Sequence, residues 1–355
     1  MRPKFPHDRY TPMHALKKLA LAPALLALGG CHMVVMNPAG DIAVQQRDLI
    51  IVATVLMLLI IVPVMALTLF FAWKYRQSNT EAKYDPDWHH STRLEIVIWA
   101  APLVIITILG AVTWTSTHLL DPYRPLDRLA PGRSAAAVKP LKVQVVALDW
   151  KWLFVYPELG IATVNELAAP VDTPIDFDLT SSSVMNSFYV PALAGQIYAM
   201  PGMRTQLHAV INKTGEYEGF SANYSGAGFS DMRFKFHGMS RADFQRWTDQ
   251  VRAGGGNLDR AGYLVLEKPS QKAPIQRFAG VTPNLFDAAL NRCVEPGKMC
   301  QHDMMRIDAQ GGLGMAGVYN VTTLEYDKRV RRGEGGLRAF VAALCAPKAA
   351  PVASR

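Results

Sequence analysis

Two long apolar runs without a charged residue constrain this chain more than any other feature. Residues 49–73 and residues 96–120 each form 25 consecutive positions that lack Asp, Glu, Lys and Arg. At about 1.5 Å of rise per residue, a helix of that length exceeds the ~30 Å hydrocarbon core of a bilayer. Pro63 and Pro102 do not weaken this prediction, because neighbouring helices in lipid can satisfy the carbonyls that a proline frees. The sequence therefore predicts a hairpin of two transmembrane helices, 49–73 and 96–120.

The segment before the first run has the features of an export signal. Residues 1–30 are basic and end in a short apolar stretch, too short to span a bilayer, that is followed directly by Cys31. The ending LGGC resembles a bacterial lipobox, in which small residues precede a cysteine that becomes lipidated. We therefore expect residues 1–30 to be a lipoprotein signal peptide, Cys31 to carry the lipid, and residues 31–48 to be exported.

Charge sets the orientation of the hairpin and excludes one class of partner. The loop 74–95 between the two runs carries four basic residues, and tryptophans flank it on both sides. Basic loops stay in the cytoplasm, so both chain ends are predicted to lie outside a bacterial inner membrane. The formal net charge is +8, and the signal segment accounts for half of it. No basic cluster interleaved with aromatic residues remains, which argues against nucleic acid as a partner.

The exported part is predicted to begin with a linker and to continue as short strands. Residues 121–138 are rich in proline and small residues, which is typical of a linker. Residues 139–239 then alternate apolar and polar side chains in runs separated by Pro, Gly and Asn; Met232, Phe234 and Phe236 alternate in this way with polar neighbours. The pattern predicts an all-β sandwich or barrel.

The remaining residues are predicted to form a helical region and a tail. Ser240 and Asp243 form a near capping box at the start of region 240–292, whose later apolar residues recur at helical spacing. The tail, 293–355, is rich in Gly and Met. Cys293 and Cys300 lie in this tail beside His302 and several methionines, and three interpretations stay open: a disulfide, a soft-metal site, or no special role. Cys345 has no assigned role.

The segment GFSANYSGAGFSDM, residues 219–232, has the spacing of a metal-binding loop but almost none of the ligands. Together with the lipobox, the two spans, the exported β domain and the sequence LDWKWLFVYPE at 148–158, it resembles subunit II of the haem–copper oxidases. The resemblance implies a cupredoxin-like fold for residues 139–239. It extends over most of the chain, to about residue 292.

In copper-bearing members of that family, the loop holds a dinuclear copper centre through two cysteines, two histidines, a methionine and a glutamate carbonyl. The corresponding residues here, which the resemblance implies form a vestigial copper site, are Asn186, Ser221, Asn223, Ser225, Phe229 and Met232. Only the methionine is retained. Without thiolates or imidazoles the set cannot be expected to hold copper, so we expect no metal and no other cofactor on this chain.

The missing ligands make the chain similar to subunit II of the bo-type ubiquinol oxidases. A quinol delivers its electrons within the membrane, so such an oxidase needs no exported copper. The resemblance implies a non-cofactor, non-catalytic subunit of a proton-pumping quinol oxidase. Haems and copper would lie in subunit I, and further small membrane subunits and membrane lipids would be partners. Trp150 and Trp152 would pack against subunit I.

Two other interpretations stay open on the sequence alone. The chain could be a copper-bearing cytochrome c oxidase subunit with unusually supplied ligands. It could also be a membrane-tethered binding or assembly protein with a cupredoxin-like domain.

Overall fold

Two long helices open the structure, a computed structural model that describes residues 33–83 and 87–309. They are α1 (Asp41–Lys74) and α2 (Thr92–Leu119). Both are long and apolar enough to cross a membrane, and their most apolar stretches are unburied. α1 begins eight residues before the predicted span, because the polar segment after residue 40 continues the same helix. The predicted signal peptide and Cys31 lie outside the described residues.

A sandwich of two β-sheets follows the helices, as the strand pattern predicts. Its strands are β3 (Leu141–Leu148), β4 (Lys151–Tyr156), β5 (Ile161–Val164), β6 (Glu166–Pro170), β7 (Pro174–Ser181), β8 (Asn186–Tyr189), β9 (Ile197–Ala199), β10 (Thr205–Val210), β11 (Gly215–Ser221), β12 (Arg233–Met239) and β14 (Gln276–Phe278). One sheet has the order β10-β7-β3-β4-β5-β14 and the other β6-β12-β11-β8-β9. The pairs β3–β7 and β6–β12 are parallel, and the remaining neighbours are antiparallel.

Short elements flank the sandwich in the predicted linker and in the predicted helical region. In the linker, β1 (Arg128–Ala130) pairs with β2 (Arg133–Ser134). After the sandwich come α3 (Arg241–Gly254), β13 (Asn257–Leu258), α4 (Arg260–Glu267), β15 (Gly280–Val281), α5 (Leu285–Leu290) and α6 (Gln301–Ala309). Ser240 caps α3 by accepting a hydrogen bond from Asp243 N–H, as predicted.

The space between the two sheets is filled with aromatic side chains. Phe188 and Phe234 stack with ring centroids 5.4 Å apart, and Trp152 meets both of them edge-on at 5.4 and 5.8 Å. Trp152 is completely buried. The prediction that Trp152 faces a partner subunit is therefore wrong. Alternation places position 152 on the inner face of β4, where it packs the domain's own core.

The outer face of the six-stranded sheet is buried as well. Leu153, Val155 and Val164 point away from the aromatic core into a second cluster with Tyr263 and Phe286 of the C-terminal helices. Every residue of β4 is consequently buried. The predicted helical region 240–292 also contains a strand, because Gln276–Phe278 adds β14 at the edge of this sheet beside β5.

A disulfide joins Cys293 to Cys300 and closes this second layer, which decides among the three interpretations of the two cysteines. Cys293 is buried in the outer cluster, and α6 follows directly after Cys300. The start of the predicted tail is therefore structured. Residues 310–355 lie outside the described residues.

We expect the disulfide to stabilise the C-terminal layer. Replacing Cys293 and Cys300 with serine should lower the free energy of unfolding by about 2–3 kcal/mol, because the loop that they close gains entropy in the unfolded chain. The measurement is denaturant unfolding of the full-length chain in detergent, followed by tryptophan fluorescence. Cys345→Ser is the matched control and should leave stability unchanged. Equal stability of the double variant and the unaltered chain would contradict the expectation.

Candidate functional site

The six positions aligned with copper ligands come together at one end of the five-stranded sheet. Asn186 begins β8, Ser221 ends β11, and the intervening loop with its short 3₁₀ turn leads to Met232 just before β12. Pairing of β8 with β11 aligns Ser221 with Phe188, and Ser221 N–H donates to the Met232 carbonyl oxygen at 3.2 Å. The spacing in the sequence thus corresponds to a real loop around a common centre.

Hydrogen bonds among neutral groups take the place of ligands in this centre. Ser221 Oγ lies 3.2 Å from Asn186 Oδ1 and 3.2 Å from the Asn223 carbonyl oxygen, and it accepts from Ser187 N–H at 3.4 Å. The Asn186 amide donates to the Val184 carbonyl at 3.1 Å. Asn186 and Ser221 are buried. Buried polar groups are costly unless they are paired, and here they satisfy one another.

The retained thioether is also enclosed by the protein. Met232 is fully buried, and its Sδ lies 3.9 Å from Ser225 Oγ. Phe229, which takes the position of a histidine, stands edge-on to Tyr224 with ring centroids 5.6 Å apart. One thioether, two hydroxyls, a carboxamide and a carbonyl do not suit a soft copper centre, which selects thiolate and imidazole. Copper does not fit these residues, and the described part of the chain holds no group of three or more His, Cys, Asp or Glu placed to bind a metal.

Trp150 clamps the loop from the turn between β3 and β4. Its Nε1–H donates to the Ser225 carbonyl oxygen at 3.0 Å, and its ring lies against Gly226 and Gly228. A Cβ on Gly228 would stand 2.4 Å from the ring, so only glycine permits this contact. Trp150 itself has a φ of 64°, a left-handed conformation that costs a bulky residue about 1–2 kcal/mol. Packing on the loop offsets that cost.

A buried lysine, Lys151, also stabilises the turn between β3 and β4. Lys151 Nζ donates to the carbonyl oxygens of Asp149 and Lys268, at 3.2 and 2.9 Å. Burial lowers the pKa of Lys151, and the nearby Asp149 carboxylate opposes that shift. Sequence reasoning missed this residue. The signal was a single lysine at the start of an otherwise apolar strand, KWLFVY.

Two family models match this chain, one in the sandwich and one in the C-terminal region. The periplasmic domain of cytochrome c oxidase subunit II matches residues 158–238, and the COX aromatic-rich motif matches residues 252–297. Among curated relatives, the cytochrome bo(3) ubiquinol oxidase subunit 2 of Pseudomonas aeruginosa is 55% identical over 79% of this chain and 82% of its own length. This chain belongs to the ubiquinol oxidase subunit 2 family.

Other members of the subunit 2 family match over a similar span. The ubiquinol oxidase subunit 2 of Acetobacter aceti is 50% identical over 75% of this chain and 84% of its own length. The quinol oxidase subunit 2 of Bacillus cereus is 37% identical over 69% and 82%. The predicted resemblance and the predicted fold are confirmed: two apolar helices, a cupredoxin-like periplasmic sandwich and a largely helical C-terminal region. The chain is therefore a subunit of an oxidoreductase complex of the respiratory chain.

We predict that Trp150→Phe loosens the loop of this subunit without unfolding the sandwich. The phenyl ring keeps part of the packing on Gly226 and Gly228, but the indole donor to Ser225 is lost, at about 1 kcal/mol. Amide hydrogen exchange of residues 222–229 should accelerate about fivefold, as measured by mass spectrometry. Trp88→Phe, the same change at an exposed loop position, is the control. Unchanged exchange in Trp150→Phe would show that the indole hydrogen bond does not hold the loop.

Proposed function

We propose that this chain is a non-cofactor, non-catalytic subunit of a proton-pumping terminal oxidase, in which ubiquinol reduces oxygen to water. Haems and copper are assigned to the large subunit I. This chain caps and orients subunit I on the exported side of a bacterial inner membrane. One observation carries the proposal: the loop has the spacing of a copper centre, but five of its six ligand positions hold other residues, and Ser221 at its centre is hydrogen-bonded to Asn186 and to the Asn223 carbonyl oxygen.

The identity of the electron donor is inferred from the route that its electrons would have to take. A soluble one-electron donor would need a metal centre in the exported domain to receive its electron. A membrane-dissolved quinol needs none there, because it can reach a cofactor of another subunit within the bilayer. The hydrogen-bonded centre around Asn186 and Ser221 therefore supports quinol as the donor. The names of the relatives agree with this donor.

The rim of the loop supplies a surface for the large subunit. Val184, Met185 and Tyr224, here called the rim patch, are 45, 39 and 75% exposed although they are apolar or aromatic. Asn223 links the two loops that carry them, since its amide donates to the Met185 carbonyl at 3.2 Å. Exposed aromatic and methionine side chains of this kind are enriched at interfaces. Trp150, which is half-buried behind the same loop, stays a predicted interface residue.

Anchoring and orientation follow from charge and from the lipobox. The basic loop 74–95 is assigned to the cytoplasm, which places the sandwich in the periplasm. Lipidation of Cys31 would add a third attachment to two helices that already span the membrane. Intact-mass analysis of the membrane-extracted chain tests this assignment, since the Cys31→Ala variant should lose the lipid mass.

Metal analysis and turnover assays on the purified oxidase test the proposed function. We expect quinol oxidation but no cytochrome c oxidation, and no copper on this chain once it is separated from subunit I. A variant with two Cys, two His and one Glu rebuilt at Ser221, Ser225, Asn186, Phe229 and Asn223 is the positive control for metal detection. It should take up copper in dinuclear stoichiometry, because the loop frame is retained.

Two results would overturn the proposal. Copper on the unaltered chain together with cytochrome c oxidation would make it a copper-bearing cytochrome c oxidase subunit. Purification in mild detergent without any haem-containing subunit, with quinol oxidation intact in a deletion strain, would make it a tethered assembly protein.

We expect Tyr224→Glu to weaken association with subunit I. A carboxylate in the rim patch would have to be desolvated at the interface, so recovery of haem with the purified chain should fall at least fivefold. Val265→Glu, which places the same charge on a 66% exposed residue of α4, is the matched control. Equal haem recovery from both variants would show that the rim patch is not part of the interface with subunit I.

A further inference from the structure

A cavity of about 240 Å³ lies where the two helices meet the sandwich. Its wall is formed by the start of α1, the end of α2, the chain that continues from α2 towards β1, and parts of the sandwich at Gln196 and β10. None of the six copper-site frame positions lines the cavity. No step of the proposed function uses it.

The depth of the cavity can be counted along α1. Leu49 is the first residue of the charge-free run, so at 1.5 Å per residue Gln46 lies about 4.5 Å outside it and Asp41 about 12 Å outside it. Lipid headgroups occupy roughly 5–8 Å on each side of the hydrocarbon core. On α2, Leu119 and Leu120 end the second run and also line the cavity. The cavity therefore extends from the edge of the hydrocarbon core, where apolar residues form its membrane side, through the level of the headgroups to about 12 Å outside the core at Asp41.

Two arginines on the wall are held in position by acidic partners. The Arg128 guanidinium donates from Nε and Nη2 to the buried Asp41 carboxylate at 2.9 and 3.2 Å, and Gln45 donates to the same carboxylate at 2.7 Å. Arg124 pairs with the exposed Asp127. Each arginine side chain stays about two-fifths exposed, at 44% for Arg128 and 40% for Arg124. Both keep N–H groups for a further acceptor, since a guanidinium has five.

Asp121 differs from the other acidic residues of the wall in its charge partners. Its carboxylate accepts a hydrogen bond from Tyr123 N–H at 2.9 Å, which fixes its position at the end of α2. Within residues 33–83 and 87–309, no salt bridge involves Asp121, whereas Asp41 and Asp127 each pair with an arginine. The wall thus offers two guanidinium groups for an anion and one carboxylate for a cation.

We propose that this cavity binds the headgroup of an ethanolamine phospholipid. The lipid phosphate pairs with Arg124 and Arg128, whose planar donors match phosphate oxygens, and the primary ammonium pairs with Asp121. An ammonium has three N–H donors for a carboxylate, whereas a choline group has none and a glycerol headgroup carries no cation. Apolar residues at Leu119 and Leu120 face the side from which the acyl chains leave. The bound lipid fixes the sandwich to the membrane surface at the junction of both helices.

Photocrosslinking of the complete complex in detergent tests the site. The probes are three phospholipids with the same acyl chains and a diazirine beside the glycerol, with ethanolamine, choline or glycerol headgroups. Labelled peptides are mapped by mass spectrometry. Peptides that contain residues 119–128 should be labelled at least threefold more by the ethanolamine lipid than by the other two. Equal labelling by all three lipids would overturn the proposal.

Two variants separate the two halves of the headgroup. Asp121→Asn keeps the acceptor for Tyr123 but removes the charge, so labelling by the ethanolamine lipid should fall to the level of the choline lipid. Arg124→Gln should lower labelling by all three lipids at least threefold. Their matched controls are Asp249→Asn and Arg133→Gln, which alter exposed ion pairs at residues that do not line the cavity. Unchanged labelling in both test variants would refute the site.

Competition identifies the source of the phosphate. Inorganic phosphate and free phosphoethanolamine are added at millimolar concentration to the crosslinking reaction. Persistence of the ethanolamine-lipid label supports a lipid, because the acyl chains contribute to binding. Equal displacement by inorganic phosphate alone would show a simple anion site and would overturn the lipid assignment.

Discussion

The structure depends on burying both faces of the six-stranded sheet. Its inner face packs into the aromatic core around Trp152, Phe188 and Phe234, and its outer face packs under the C-terminal helices. A sheet with two covered faces has continuous apolar strands instead of alternating ones, and β4 is buried along its whole length. The turn that carries Trp150 connects two of these strands, so the same burial positions the residue that clamps the site loop.

That clamp helps to explain how the loop between β11 and β12 keeps its conformation. Here Ser221 and Asn186 bond to each other and to the backbone, while the indole of Trp150 packs against two glycines. Each contact contributes little by itself, at about 1 kcal/mol for a hydrogen bond. Together they leave the loop with its polar groups paired and an exposed rim of apolar side chains.

Much of the fold could be predicted from local patterns. The charge-free runs, the alternation at Met232, Phe234 and Phe236, and the cap at Ser240 all depend on neighbours in the chain, and the structure has each of them. Tertiary pairing was harder to foresee. Gln276–Phe278 has no strong strand pattern and becomes a strand because β5 offers an open edge. The two tryptophans also look alike in the sequence, and only packing assigns Trp152 to the core and Trp150 to the loop.

The sequence by itself determined the membrane hairpin, the family and the absence of copper ligands at the frame positions, because length, charge and residue type decide these properties. The tertiary structure decided which groups replace the ligands and which cysteines pair. It also decided that Asp41, Asp121 and the two arginines surround one cavity. Arg128 lies 87 residues from the aspartate that it binds, and only folding of the linker onto the helix ends brings them together. Local sequence patterns carry no information about contacts of that separation.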